Sequence, residues 1–231
     1  MPPKYRRGRY KRRRPLRRRR TRRYRKRPLR MRINYLKLRS ITGFPDQMVC
    51  KLKYNTVISM VNVSGHGSYR MNLNSLYDPD DTGSGHQPMG FDQYAAIYQD
   101  YEVRASSIYV KPLPIDANVC RYCVYPSNQS TAVTHVEQAI EQPYSKKGYI
   151  TTNQTATNAR GIRNYMSVKK LEGRNIDSLN YIANTGANPT TLKHWFIVVD
   201  SVNLESIADI SFEVQITYYC RFLRKRTLSQ S

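Results

Sequence analysis

Apolar and polar residues alternate with a period of two through much of the chain after residue 47. In residues 210–222, Ile210, Phe212, Val214, Ile216, Tyr218, Cys220 and Phe222 fall on one side of an extended segment. Ser211, Glu213, Gln215, Thr217 and Arg221 fall on the other. Successive side chains of a strand point to opposite faces, so this pattern predicts a long, half-buried strand. Residues 48–62 alternate likewise, with Cys50, Leu52, Tyr54, Ile58 and Met60 on the apolar side. In residues 68–73, Tyr69, Met71 and Leu73 oppose Ser68, Arg70 and Asn72. Further strands are predicted over 101–111, 118–125, 148–152, 163–170 and 193–200. The last of these is apolar on both faces, the mark of a central strand, and it carries Trp195 as a candidate core residue. Two short helices are predicted, over 91–98 and over 133–140, where Val133, Val136 and Ile140 recur at helical spacing. Turn-rich segments lie at 78–85, 153–161 and 184–189. No strand–helix–strand repeat is present, which argues against a parallel α/β sheet. The prediction is therefore all-β: a single eight-stranded antiparallel jelly-roll β-sandwich over residues 40–222, with long connections between strands.

Charge changes the picture at the two ends. The chain has 231 residues and a formal net charge of +23. Of its 39 Lys and Arg, 21 lie in residues 1–39, where no acid occurs; the first is Asp46. The remaining 192 residues hold 18 bases and 16 acids, a net charge of only +2. Residues 1–39 have almost nothing apolar to bury, their like charges repel, and Pro2, Pro3, Pro15 and Pro28 interrupt any helix. They are expected to form a disordered arm that a polyanion neutralises. The candidate nucleic-acid-binding residues are Arg6, Arg7, Arg9, Arg12, Arg13, Arg14, Arg17, Arg18, Arg19, Arg20, Arg22, Arg23, Arg25, Lys26 and Arg27. Arginine dominates, which favours bidentate contact with phosphate oxygens. Tyr10 and Tyr24, with Tyr5, are set among these cations and can stack on unpaired bases. The same segment reads as a nuclear-localisation signal, a role that coexists with the first. A mitochondrial transit peptide fits poorly, because Arg17 to Arg20 leave no apolar helical face. Fully extended, the arm reaches at most about 130 Å.

Other candidate chemistry is sparse. No run of 18 apolar residues exists, so no membrane span is expected, and no apolar signal-peptide core precedes the body. Four cysteines do not make a disulfide scaffold, and the default compartment is reducing. Cys120 and Cys123 with His135 and Glu137 contain the residue types of a zinc deaminase, but the order is inverted. In a strand, positions three apart diverge, so the two thiols are expected on opposite faces as small buried residues. Asp78, Asp80, Asp81 and Gly83 begin like a calcium loop, but Met89 stands where a bidentate Glu is needed, and an exposed loop is expected. His66, His86, His135 and His194 are scattered, and no close pair among them is expected. Asn62, Asn128 and Asn153 match the glycosylation sequon, which means little without a secretory signal. Residues 223–231 read as a basic tail; with Arg221, its Arg224, Lys225 and Arg226 are either a solvated end or a second anionic-partner site. No catalytic motif, metal site or cofactor site survives, so the chain is expected not to be an enzyme and to need no cofactor.

A polycationic arm followed by a near-neutral β body resembles the capsid proteins of circovirus-like, circular single-stranded DNA viruses. The run RRGRYKRRRPLRRRRTRRYRKR at 6–27 is similar to their arms in its arginine blocks broken by Tyr and Pro. The segment MGFDQYAAIYQDYEVRASSI at 89–108, a short helix leading into a strand, is similar to theirs as well. The resemblance implies a jelly roll whose copies form a small icosahedral shell, commonly of sixty subunits. It implies that the arm meets a single-stranded DNA genome and the host nuclear import machinery, placing the protein in the virion and the host nucleus. It implies a cell-surface receptor without naming one. A cellular, ribosomal-type nucleic-acid-binding protein is the alternative; such proteins usually carry basic patches on the folded body as well.

Overall fold

The computed structural model describes residues 43–60, 65–83, 85–113, 119–151, 159–173, 179–201 and 210–227. The chain divides into two units between Lys37 and Leu38, and every described residue belongs to the second. Its elements run β1 (Gln47–Met60), β2 (His66–Asn72), α1 (Phe91–Ile97), β3 (Tyr98–Leu113), β4 (Cys120–Ser127), α2 (Val136–Glu141) and β5 (Lys146–Ile150). Then follow β6 (Ile162–Ser167), α3 (Val168–Glu172), a 3-10 turn (Leu179–Tyr181), β7 (Ile182–Asn184), β8 (His194–Ser201) and β9 (Ile210–Lys225).

The strands form two antiparallel sheets. One has the order β1-β9-β3-β6, with β7 also pairing β3; the other has the order β2-β8-β4-β5. With β7 set aside, the pairing is nested: β1 with β9, β2 with β8, β3 with β6, β4 with β5. A chain folded once into a long ribbon and wound across two facing sheets pairs in this order, and that is the eight-stranded jelly roll. Between the sheets lies one core. From the first come Leu52, Tyr54, Ile58, Ile108, Val110, Phe212, Val214, Ile216 and Tyr218; from the second come Met71, Tyr122, Val124, Trp195, Ile197 and Val199. Each such side chain adds about 1.5–3 kcal/mol when fully buried. The indole N–H of Trp195 crosses the core to donate to Ser106 Oγ at 2.9 Å, and the Tyr218 hydroxyl donates to the Asn72 carbonyl at 2.8 Å.

A second, smaller apolar layer explains why β8 is apolar on both faces. Phe196 and Val198 of β8, with Cys123 and Tyr125 of β4, turn away from the main core and are covered by Val136 and Ala139 of α2. Three local expectations change. Residues 163–170 are not one strand: β6 stops at Ser167, whose side chain accepts from the Lys170 N–H at 3.2 Å and caps α3. Gly173, at φ 75°, ends that helix; a cap at each end outweighs the alternation between them. The second helix begins at Val136, not Val133. At the C-terminal end, β9 continues to Lys225, so the strand passes the boundary expected at 222.

Candidate nucleic-acid interface

The arm residues singled out above, Tyr10 and Tyr24 among them, lie outside the described residues, as do Asn62 and Asn153. One surface the described body offers an anionic partner is the outward face of the β1-β9-β3-β6 sheet. On β1 the outward positions are the odd ones, and Lys51 and Lys53 stand there exposed. Register carries the face across the sheet. Lys51 lies opposite Tyr219, which lies opposite Ala105; Lys53 lies opposite Thr217, then Ser107, then Tyr165; Asn55 leads to Gln215, Tyr109 and Arg163. Four strands at about 4.8 Å spacing make this patch about 15 Å wide.

Its chemistry is cations interleaved with tyrosines. Lys51 Nζ lies 5.1 Å from the Tyr219 ring centre, and the Arg163 guanidinium 5.6 Å from that of Tyr109. The Tyr165 ring, 56% exposed, meets Tyr219 edge to face at 5.8 Å. Gly161 allows the placement of Tyr109, because a Cβ there would stand 2.5 Å from the phenol ring. Among the described residues, Lys51, Lys53 and Arg163 form no ion pair. An exposed cation–π contact is worth only about 0.5–1 kcal/mol, so these cations exchange a ring for a phosphate at little cost. The tyrosine faces released are of the kind that stacks on unpaired bases.

One acid, Glu213 of β9, shares this outward face, opposite Val57 and Lys111; two others of the sheet are already matched. Asp100 and Glu102 are 4% and 1% exposed, and Arg224 and Arg221 respectively cover them, with Arg104 Nε a further 3.6 Å from Glu102. Arg224 adds a second bond to Asp100 at 2.7 Å. Lys225 pairs with Asp46 at 2.9 Å, and Arg226 donates to the carbonyls of Ala95 and Tyr98 and to the Thr185 hydroxyl. The C-terminal cations through Arg226 are thus bound to the body; residues 228–231 lie outside the described residues. The same contacts tie down the segment before β1, since Lys225 also donates to the Phe44 carbonyl and Tyr98 to that of Pro45.

Other candidates resolve into structure. Cys120 belongs to the core between the sheets and Cys123 to the layer under α2, so they diverge as their spacing predicts. Burial pushes both thiols up to about 11. Glu137 pairs with Arg121 at 3.2 Å, and Arg121 forks onto Asp200. Asp80 is not in an exposed loop: it is 5% exposed and accepts from the Tyr69 hydroxyl and from the Thr82 N–H and hydroxyl. Desolvation and this carboxylate raise the Tyr69 phenol well above its ordinary value. The histidines are less scattered than their spacing predicts, since the His66 and His135 rings lie 5.3 Å apart. Among the described residues no helix is long and apolar enough to cross a membrane.

The outward face itself is missing from the sequence reading. Its only local signal is the pair of lysines at odd positions of β1; the tyrosines come from strands far away in the chain.

No protein-family model and no curated protein matches this chain. Solved structures similar to it include a nodavirus particle of the giant freshwater prawn Macrobrachium rosenbergii, at 12% identity and a TM-score of 0.49 over 80% of this chain and 97% of that one. The mud crab tombus-like virus matches at 11% identity and a TM-score of 0.49 over 79% and 92%. The 60-mer BFDV capsid protein matches at 10% identity and a TM-score of 0.44 over 81% and 100%.

Proposed function

We propose that this chain is a viral coat protein that assembles into a small icosahedral shell and packages a circular single-stranded DNA genome. The observation that carries the reading is the charge partition. Twenty-one Lys and Arg and no acid occupy residues 1–39, while the rest of the chain is near neutral. A tether so charged requires a polyanion, and a near-neutral jelly roll is suited to packing against copies of itself. The arm takes the phosphates and, through Arg12 to Arg14 and the runs after them, addresses the protein to the host nucleus. The tyrosine–lysine face of the first sheet supplies stacking surface and favours single strands over duplex. Contacts of this kind position the polymer and carry little sequence information.

A second reading draws support from the same face, because a basic patch on the folded body also suits a cellular nucleic-acid-binding protein with a basic extension. Particle formation separates the two. Purified full-length protein, viewed by electron microscopy with and without single-stranded DNA at low and high salt, is expected to form closed, uniform shells. Monomers under every one of these conditions would leave only the second reading.

A further inference from the structure

We propose that Cys50 and Cys220 are a redox pair, converted by a small-molecule disulfide into a cross-strand disulfide that staples β1 to β9. The inference is independent of what the arm binds. Cys50 lies directly opposite Cys220 in the β1–β9 ladder, and their sulfurs are 3.5 Å apart. Directly opposed residues of an antiparallel pair have Cα atoms about 4.5 or 5.5 Å apart, and both values lie within the roughly 4.4–6.8 Å range of disulfides. A bond of about 2.05 Å is therefore reached by side-chain rotation, with the backbone in place.

The environment makes the pair selective. Cys220 is 1% exposed, while Cys50 is half-buried on β1, which among the described residues pairs with β9 alone. The other two cysteines, Cys120 and Cys123, are buried on opposite faces of β4 and cannot meet one another. Cys50 is thus the thiol a reagent reaches, and Cys220 the one behind it. A hydrogen bond from the Cys220 thiol lowers the Cys50 thiol from its ordinary value, while that neighbour and burial raise Cys220. The thiolate is the attacking species, so the more reachable sulfur is also the more reactive one.

The chemistry balances with an oxidant of the glutathione-disulfide class. The Cys50 thiolate attacks one sulfur of the oxidant, forming a mixed disulfide and releasing one thiol. Cys220 then gives up its proton and attacks the Cys50 sulfur, releasing the second thiol. Two protein thiols are oxidised and one small disulfide is reduced to two thiols. The product joins positions 170 residues apart and holds the edge strand that follows the arm to the last strand of the fold. The body is stiffened in oxidising surroundings and relaxed in thiol-rich ones.

The test uses the full chain, reduced and then exposed to oxidised glutathione. Free thiols are alkylated, and the peptides are mapped by mass without reduction. The expected product is one peptide pair linking Cys50 to Cys220, lighter by two hydrogens, in a chain that still runs as a monomer on a nonreducing denaturing gel. Unfolding of that product is expected about 5–15 °C higher than that of the reduced chain, and the gain is expected to vanish with dithiothreitol. Cys50→Ser is expected to lose both the link and the gain. Alkylation of both thiols after oxidation, or a Cys50–glutathione adduct that Cys220 never resolves, would overturn the proposal. So would linkage only between chains.

Discussion

Single residues show how one sequence pattern serves two ends. His194 opens β8 beside Trp195, and at 4% exposure its Nδ1 has no hydrogen-bond partner among the described residues. Desolvation, and secondarily the charge of Arg70, holds its imidazole below the ordinary value of 6.5, although Asp81 pulls the other way. The unfolded chain binds this proton more readily than the folded one. Stability from this site is therefore complete above the ordinary value and falls as pH drops from about 6.5 toward the lower folded value. We expect the melting temperature to decline between pH 7 and 5, and to decline less steeply in His194→Gln. Equal slopes in the two proteins would show that His194 binds its proton equally well folded and unfolded. The burial of position 194 was legible from the apolar run around it; the missing partner was not, because it depends on what β2 and the loops bring alongside.

Elements carry the next distinction. In β1 the even positions build the core and the odd ones face outward, as a strict period of two requires. A long strand at a sheet edge is a template for unwanted pairing, and outward lysines blunt it. The proposed function gives Lys51 and Lys53 a second use, and it is measurable. Replacing both with Ala in the full chain is expected to lower the salt slope of single-stranded DNA binding by about 1.4, since each neutralised phosphate contributes about 0.7. Stability should change by no more than about 0.5 kcal/mol, because neither residue packs in the core. Isothermal binding at several salt concentrations reads the first quantity and thermal melting the second; an unchanged slope would remove this face from the interface. The face was half legible. The lysines of β1 show in the alternation, but Tyr219, Tyr165 and Tyr109 join them only through ladders with β9, β3 and β6. The helix α3 shows the opposite failure: its Ser167 cap lies inside the stretch 163–170 whose alternation predicts a strand, and its Gly173 cap lies just beyond it.

At the scale of the whole molecule the proposed function is a division of labour between a charged tether and a neutral sandwich. Deleting residues 1–39 removes 21 of the 39 cations and leaves every described element intact. The truncated chain is expected to melt cooperatively, with Trp195, the one tryptophan, reporting a buried environment. It is expected to keep weak, shallow salt-dependent binding through the β1 face and to package nothing. If its salt slope equals that of the full chain, the arm is not the binding element. The same count sets a scale for cargo: sixty arms carry roughly 1,260 positive charges, which neutralise about 1–2 kb of single strand.

Two properties were determined by the sequence alone. One is the alternation of side chains between the two faces of each predicted strand, because it is local to the backbone. The other is the separation of charge, because formal charge needs no partner to be counted. Tertiary structure decided which strands became neighbours. The meeting of Cys50 with Cys220, of His66 with His135, and of Lys51 with Tyr219 all follow from that choice. The nested winding of the ribbon brings together positions as many as 181 residues apart, and nothing in a strand's own pattern states which partner its hydrogen bonds will find.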